Sequence, residues 1–491
     1  MHATRTVSAA ALVLSSFVTT ASAVSLDPRG LGQALLYPYY TVNKNQDTLV
    51  SIVNAGDAAK AVQVRFREGI NSRAVLQFVV FLSAHDVWTA SLTSIADDDG
   101  ALLKTSDTSC TDPAIPTAGV SFRSADYDGT GVVPPDGGST SITRTREGFL
   151  EIIAVGDIVA GSPTEAAIVH VHDGGPNDGA APACDQIPPS WYYTDTVVPT
   201  GTIHGTAAIV NVGEGTFFPY DADAISGFTG LVLDPYRDGA PSGTSFQEAN
   251  SPDAVDGVAT AYVTDSRGRP LALDYAFGVD AVSAVFMADA LYNEYIVASA
   301  LGANTDWVVT LPTKSFYTDT LYGSVPYPPF DSAFTDGVAP VATTGTVYDR
   351  EEGSTNFGIC EGFCPPTDAS VDLSYAVNVL PVDNAVTQAL VSRVFGSTLT
   401  PFAIPPYGDD GQIVLRLDAP AHRLPGGIDA DGRAITLVGL PATGFMAYNV
   451  INTNAQPGLL ANYSGMFRHR STTACIGASD GCVTLPSGEG E

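Results

Sequence analysis

The segment IVHVHDGG sets His170 and His172 two positions apart. On an extended chain such residues share one face, and two imidazoles on one face can supply two nitrogens to a metal ion. His204, in GTIHGTA, becomes a third ligand if its strand lies alongside, and Asp173 can add an oxygen from the turn. The expected metal site is therefore His170, His172 and His204. The same spacing also suits hydrogen-bonded surface histidines.

Acidic turns offer a second chemistry. DDDG at 97–100, DYDG at 126–129 and DADG at 429–432 gather the carboxylates a hard cation such as calcium requires. Their glycine arrives at the fourth position, whereas an EF-hand loop needs it at the sixth, and aspartate before glycine is also ordinary turn chemistry.

Motifs for nucleophilic or phosphoryl chemistry lack their context. Gly477-Ala478-Ser479-Asp480-Gly481 spells G-x-S-x-G, but it lies between Cys475 and Cys482 with no histidine after it. The order Ser, Asp, His of that hydrolase fold is thus excluded. Leu440-Pro441-Ala442-Thr443-Gly444 spells a sortase signal without the apolar span and basic tail that should follow, and Lys314 follows a threonine where a P-loop needs glycine. No catalytic or cofactor-binding residue is assigned. Carboxylate pairs for glycoside hydrolysis cannot be picked from so many acids.

These residues need a scaffold and a compartment. Arg5, an apolar run at 9–18 and Ala21-Ser22-Ala23 have the form of a cleaved secretory leader over 1–23, and the apolar run is about half the ~20 residues a membrane span needs. No later segment is long and apolar enough to span. Six cysteines follow the leader, and proximity pairs Cys110 with Cys184, Cys360 with Cys364, and Cys475 with Cys482, as suits an oxidising, extracellular, cell-surface or periplasmic setting. A net charge of −31 from 22 basic against 53 acidic residues argues against nucleic acid and anionic membranes as partners.

Short runs of alternating or β-branched apolar residues, separated by glycine and proline, predict a mainly β fold: antiparallel β-sandwich modules, Ig-like or jelly-roll-like, with one or two short helices. Strands are expected at 75–82, 149–155, 167–171, 207–212, 258–263, 307–311, 375–380, 413–417 and 435–438, and a helix near 281–300. An N-terminal sandwich region over 24–235, a loop or linker at 236–256 and a C-terminal mainly β region over 257–491 complete the expected organisation. The stretch TLVSIVNAGDAAKAVQVRFREG at 48–69 predicts two strands joined as a hairpin. Alternation turns Val62, Val64 and Phe66 inward and Arg65 and Arg67 outward. With Arg73 they would either form a positive patch able to receive an acidic surface of a second copy or pair within the chain with Glu68 and other local carboxylates.

The blocks RGLGQALLYPYYTVNKNQDTLVSIVNAGDAAKAVQVRFREG, SAHDVWTA, TREGFLEIIAVG, GTIHGTAAIVNVGEGTFFPYDADAI, NEY at 293–295 and TDWVVTLPTKSFY together resemble an uncharacterised family of secreted bacterial proteins. The resemblance covers most of the chain after the leader. It implies an exported protein and carries no activity, cofactor or catalytic set.

Two functions from different classes follow. The first is a non-enzymatic secreted or cell-surface protein with a structural, assembly or adhesive role. Its partner would be a second copy or an extracellular polymer, stacked on clusters such as Tyr37-Pro38-Tyr39-Tyr40, Trp191-Tyr192-Tyr193 or Tyr327-Pro328-Pro329-Phe330. The alternative is a secreted hydrolase of such a polymer. A deep cleft holding His85 and Asp86 would favour it.

Overall fold

The computed structural model describes residues 23–95, 99–170, 181–236, 245–249, 259–265, 267–358, 371–383, 391–452, 456, 461–477 and 482. All but the last residue of the expected leader, His172, Asp173, Cys360, Cys364 and Ser479 lie outside the described residues.

Antiparallel sheets make up the structure, accompanied by five short α-helices among the described residues, the longest being Gly278–Phe286. The mainly β, sandwich-type class read from the alternation is what forms. A central sheet runs, in spatial order, Ser25–Leu26, Asp223–Ser226, Ala34–Thr41, Glu147–Ile158, Lys60–Glu68, Ala74–Leu82 and Thr111–Asp112. An outer sheet runs Thr216–Asp221, Ile203–Asn211, Asp47–Asn54, Val87–Ser94, Ala101–Lys104 and Val120–Ser121. Leu35, Val62, Val64, Phe66 and Val80 of the central sheet meet Val50, Ile52, Trp88, Leu92 and Ile203 of the outer one in a shared apolar layer.

The 48–69 stretch is not a hairpin. Asp47–Asn54 pairs with Ile203–Asn211 and Val87–Ser94 in the outer sheet, whereas Lys60–Glu68 pairs with Glu147–Ile158 and Ala74–Leu82 in the central one. Residues 55–59 therefore cross the roughly 10 Å between packed sheets. Asn54 fixes the crossing: its amide nitrogen donates to the carbonyls of Ala58 at 2.8 Å and Ser83 at 2.9 Å.

Central strands are buried on both faces, and this overturns the second expectation for the stretch. Leu36, Tyr39, Phe149 and Ile153 turn away from the outer sheet into a larger apolar cluster with Val308, Phe395 and Phe445 from the C-terminal half. Arg65 and Arg67 point to that same side and are only 2 % exposed, and Arg73 is 4 % exposed, so the expected positive patch is not at the surface. Residues 314–322 cover them, with the Arg67 guanidinium 5.8 Å over the Phe316 ring. Val62, Val64 and Phe66 face the apolar layer as expected.

Two further elements differ from the sequence reading. Residues 163–168 form a helix, not a strand: the Ser162 hydroxyl caps the Glu165 amide and Pro163 takes the first turn, a start signal that outweighs the apolar run behind it. The expected 281–300 helix is Gly278–Phe286 followed by the strand Ala290–Ile296. That strand alternates buried Leu291, Asn293 and Tyr295 with more open Tyr292 and Glu294, and is fixed between Asp410–Arg416 and Arg470–Thr472. Pairing on both sides overrides the helix propensity of the alanines before it.

Candidate functional site

The residues singled out for chemistry fall into an interior set and a surface set. Inside, Glu68 accepts Nε of Arg144 at 2.6 Å and Nη2 at 2.9 Å, together with the backbone amides of Ile70, Asn71 and Arg73. Arg144 also bonds Asp136 and lies 4.3 Å over the Tyr127 ring. Arg73 grips Asp319 with two parallel bonds of 2.8 and 3.0 Å, and Arg67 reaches Glu151 at 2.7 Å. Bonds of this kind are strong, and their members are too deep to meet a solute. Asp126, in the DYDG turn, lines a cavity of about 20 Å³ with Arg65, Arg67 and Arg73, a space for about one water.

The DADG turn is closed upon itself. Asp429 accepts the amides of Asp431 at 3.0 Å and Arg433 at 2.8 Å, and the Arg433 Nε donates to it at 2.9 Å. Asp97 and Asp98 of the DDDG turn lie outside the described residues. Among the described residues no group of three or more His, Cys, Asp and Glu is placed to hold a metal ion.

The structure does not bring His170 and His204 together as ligands. His204 is on the outer face of its strand opposite Val53, since Ile203 and Gly205 point inward. Gly205 is required there: a Cβ would lie 1.8 Å from the Tyr37 hydroxyl, which donates to the Ser51 carbonyl at 2.7 Å. His170 follows the 163–168 helix and lines a cleft of about 620 Å³ with His85, Asp86, Thr108 and Glu165. Its Nε2 is 3.0 Å from the Thr108 hydroxyl, while its Nδ1 is 4.0 Å from Asp86, beyond hydrogen-bond reach. Asp86 instead accepts the amides of Ser83 at 3.1 Å and Val87 at 2.8 Å, and His85 pairs with Asp57 at 3.0 Å.

The aromatic clusters separate sharply. Tyr37, Tyr39 and Tyr40 are core residues, at most 1 % exposed. Trp191, Tyr192 and Tyr193 come from a short helix whose first residue is buried while Tyr193 is 71 % exposed. Tyr236, distant in sequence, closes the group: its ring centre is 5.2 Å from Tyr192, and the Trp191 indole donates to its hydroxyl at 3.3 Å. The Tyr236 hydroxyl in turn donates to Asp112. The rings of Trp191, Tyr192 and Tyr236, with Phe81, Ile187, Pro188, Pro189, Asp112 and Asp185, line an open cavity of about 760 Å³.

The Cys110–Cys184 disulfide anchors both walls of this cavity, the expected pairing, and Cys475–Cys482, also expected, is the other bridge among the described residues. Sequence reading saw the Trp191 cluster but missed Tyr236, Asp112 and Asp185. The only local signal was the cysteine pair that ties their segments together.

A third concavity, about 740 Å³, lies on the open face of the outer sheet, where Thr206, Ser51 and Thr89 stand in one cross-strand row. Ser106 lines both this face and the His170 cleft. No helix among the described residues is long and apolar enough to cross a membrane. No protein-family model, curated protein or solved structure matches the chain.

Proposed function

We propose that the protein is an exported, non-enzymatic cell-surface or extracellular protein that holds a carbohydrate polymer in a structural or adhesive role. The observation that carries this reading is the cavity where Tyr192 and Tyr236 stand open over the buried Trp191, in contrast to Tyr37, Tyr39 and Tyr40, which are sealed in the core. A ring face next to carboxylates suits a sugar, whose C–H face stacks while its hydroxyls find acceptors. Export is supported by the leader-like N-terminal sequence and by the disulfides Cys110–Cys184 and Cys475–Cys482. The test is retention of the purified protein on insoluble polysaccharides. Wild type is retained and Tyr192→Ala and Tyr236→Ala are not; equal retention of all three, or none on any polysaccharide, removes the reading.

The His85, Asp86 and His170 cleft favours a second reading, hydrolysis of the same polymer, with Thr108 beside His170 as the hydroxyl. A 4.0 Å gap to a carboxylate already occupied by backbone amides leaves His170 without the orienting partner a general base needs. Release of soluble sugars or esters by wild type but not by His170→Ala would install this reading in place of the first.

A further inference from the structure

The aromatic cavity has a one-sided charge. Among the described residues that line it, Asp112 and Asp185 are acids and none is Lys, Arg or His. Tyr236 does not spend the acidity: burial, and then its hydrogen bond to Asp112, push the phenol above its usual range, so it stays a neutral donor. The Asp112 carboxylate lies beside an electron-rich ring face, and a carboxylate has further oxygen sites for a second donor. At −31 the whole chain draws cations toward such a mouth and repels acidic polymers.

We propose that the occupant is a sugar polymer bearing free amines, with an ammonium group held between Asp112 and Asp185 and a sugar face on Tyr192 or Tyr236. This deepens the polymer-binding reading above and rests on it. A neutral polymer offers the two carboxylates only hydroxyl donors, whereas an ammonium adds charge attraction and an anionic polymer is repelled. The cavity, about 760 Å³, is within the range that encloses a small ligand or a few units of a chain.

Tryptophan fluorescence reads the event, because of the three buried tryptophans only Trp191 lines the cavity. The whole protein is titrated with tetramers of glucosamine, N-acetylglucosamine and glucose at low salt and below the amine pKa. The glucosamine tetramer is expected to bind at least about tenfold tighter than the other two, with the preference shrinking at high salt and in Asp112→Asn and Asp185→Asn. Asp185 is exposed, so its variant folds even if the Asp112 variant does not.

Equal binding of the N-acetylated and free-amine tetramers, still abolished by Tyr192→Ala, overturns the amine preference and leaves polymer binding standing. Binding of none of the three removes both. A lysine tetrapeptide that binds as tightly as the glucosamine tetramer overturns the sugar and leaves only a cation site.

Discussion

The Arg65–Arg144 interior and the Trp191–Tyr236 cavity invert the usual placement of their residue types. Arginines and carboxylates, which belong in water, are sealed between the central sheet and the segment over residues 314–322. Tyrosines, which could fill a core, stand open at a loop cluster. The charges are spent on holding layers together, so their chemistry is structural. The rings are held in place by a disulfide and a hydrogen-bonded chain from Trp191 through Tyr236 to Asp112, so they are available to something outside. If this division holds, damage to the interior changes stability, and damage to the cavity changes binding.

The sharpest way to break the comparison is Arg144→Ala. It leaves Glu68 and Asp136 buried without their cation, and removing one partner of such a pair costs about 3–5 kcal/mol. A urea midpoint that drops accordingly, with sugar binding unchanged in the folded fraction, supports the division. An unchanged midpoint breaks it.

Acid is the second way. His469 is a buried neutral imidazole: Nε2–H donates to the Val308 carbonyl at 3.0 Å, Nδ1 accepts from Asn293 at 3.1 Å, and the ring lies 4.4 Å from Trp307. Burial holds its pKa down at about 3. Because the unfolded imidazole takes up its proton near 6.5, the unfolded state gains protons first as pH falls, and stability is lost from about 6.5 downward, reaching about 4 kcal/mol near pH 3. Asp306 acts oppositely. Burial pushes its carboxyl up to about 6, so its ionisation costs stability as pH rises from about 4 to 6, and protonation restores about 3 kcal/mol. A His469→Gln variant is expected to lose less stability between pH 6.5 and 4 than wild type in calorimetric melts. Parallel curves would show that the imidazole is not buried neutral.

Most of the strands were legible in the sequence because alternation at residues such as Val62, Val64 and Phe66 is a local signal. Layer assignment was not. Residues 55–59 have the same composition whether they close a hairpin or cross between sheets, and only the long-range pairing of 203–211 with 47–54 decides. Arg65 and Arg67 were misplaced for a related reason. Period two says which residues share a face, and says nothing of whether a second layer, here residues 314–322, lies over it. The cavity was half legible for the same cause: Trp191-Tyr192-Tyr193 is one string, whereas Asp112 and Tyr236 reach it from 79 and 45 positions away.

Breaking the Cys110–Cys184 bridge tests whether the cavity is held together as supposed. The bridge closes a 74-residue separation, and its removal as Cys110→Ser/Cys184→Ser is expected to cost about 2–4 kcal/mol. Binding should weaken more than stability alone explains, because Asp112 and Trp191 lie on the two segments it ties. A double variant that is destabilised yet binds normally would show that the rings are positioned by the core instead.

The smallest effect on the fold is expected at Tyr193, and there the comparison is sharpest. Its ring centre is 4.0 Å from that of Tyr192, but most of its surface is in water. Replacing it with alanine removes no buried contact of the core, so the melting midpoint should hold to within about 0.5 kcal/mol. The same change removes an aromatic platform beside the cavity, and an aromatic contact of this kind is worth about 0.5–1.5 kcal/mol, or roughly two- to tenfold in the dissociation constant of the glucosamine tetramer. Intact stability with weakened binding is the pattern of a surface residue kept for a partner. Unchanged binding would confine the contact to the Trp191, Tyr192 and Tyr236 rings and shrink the site to the cavity itself.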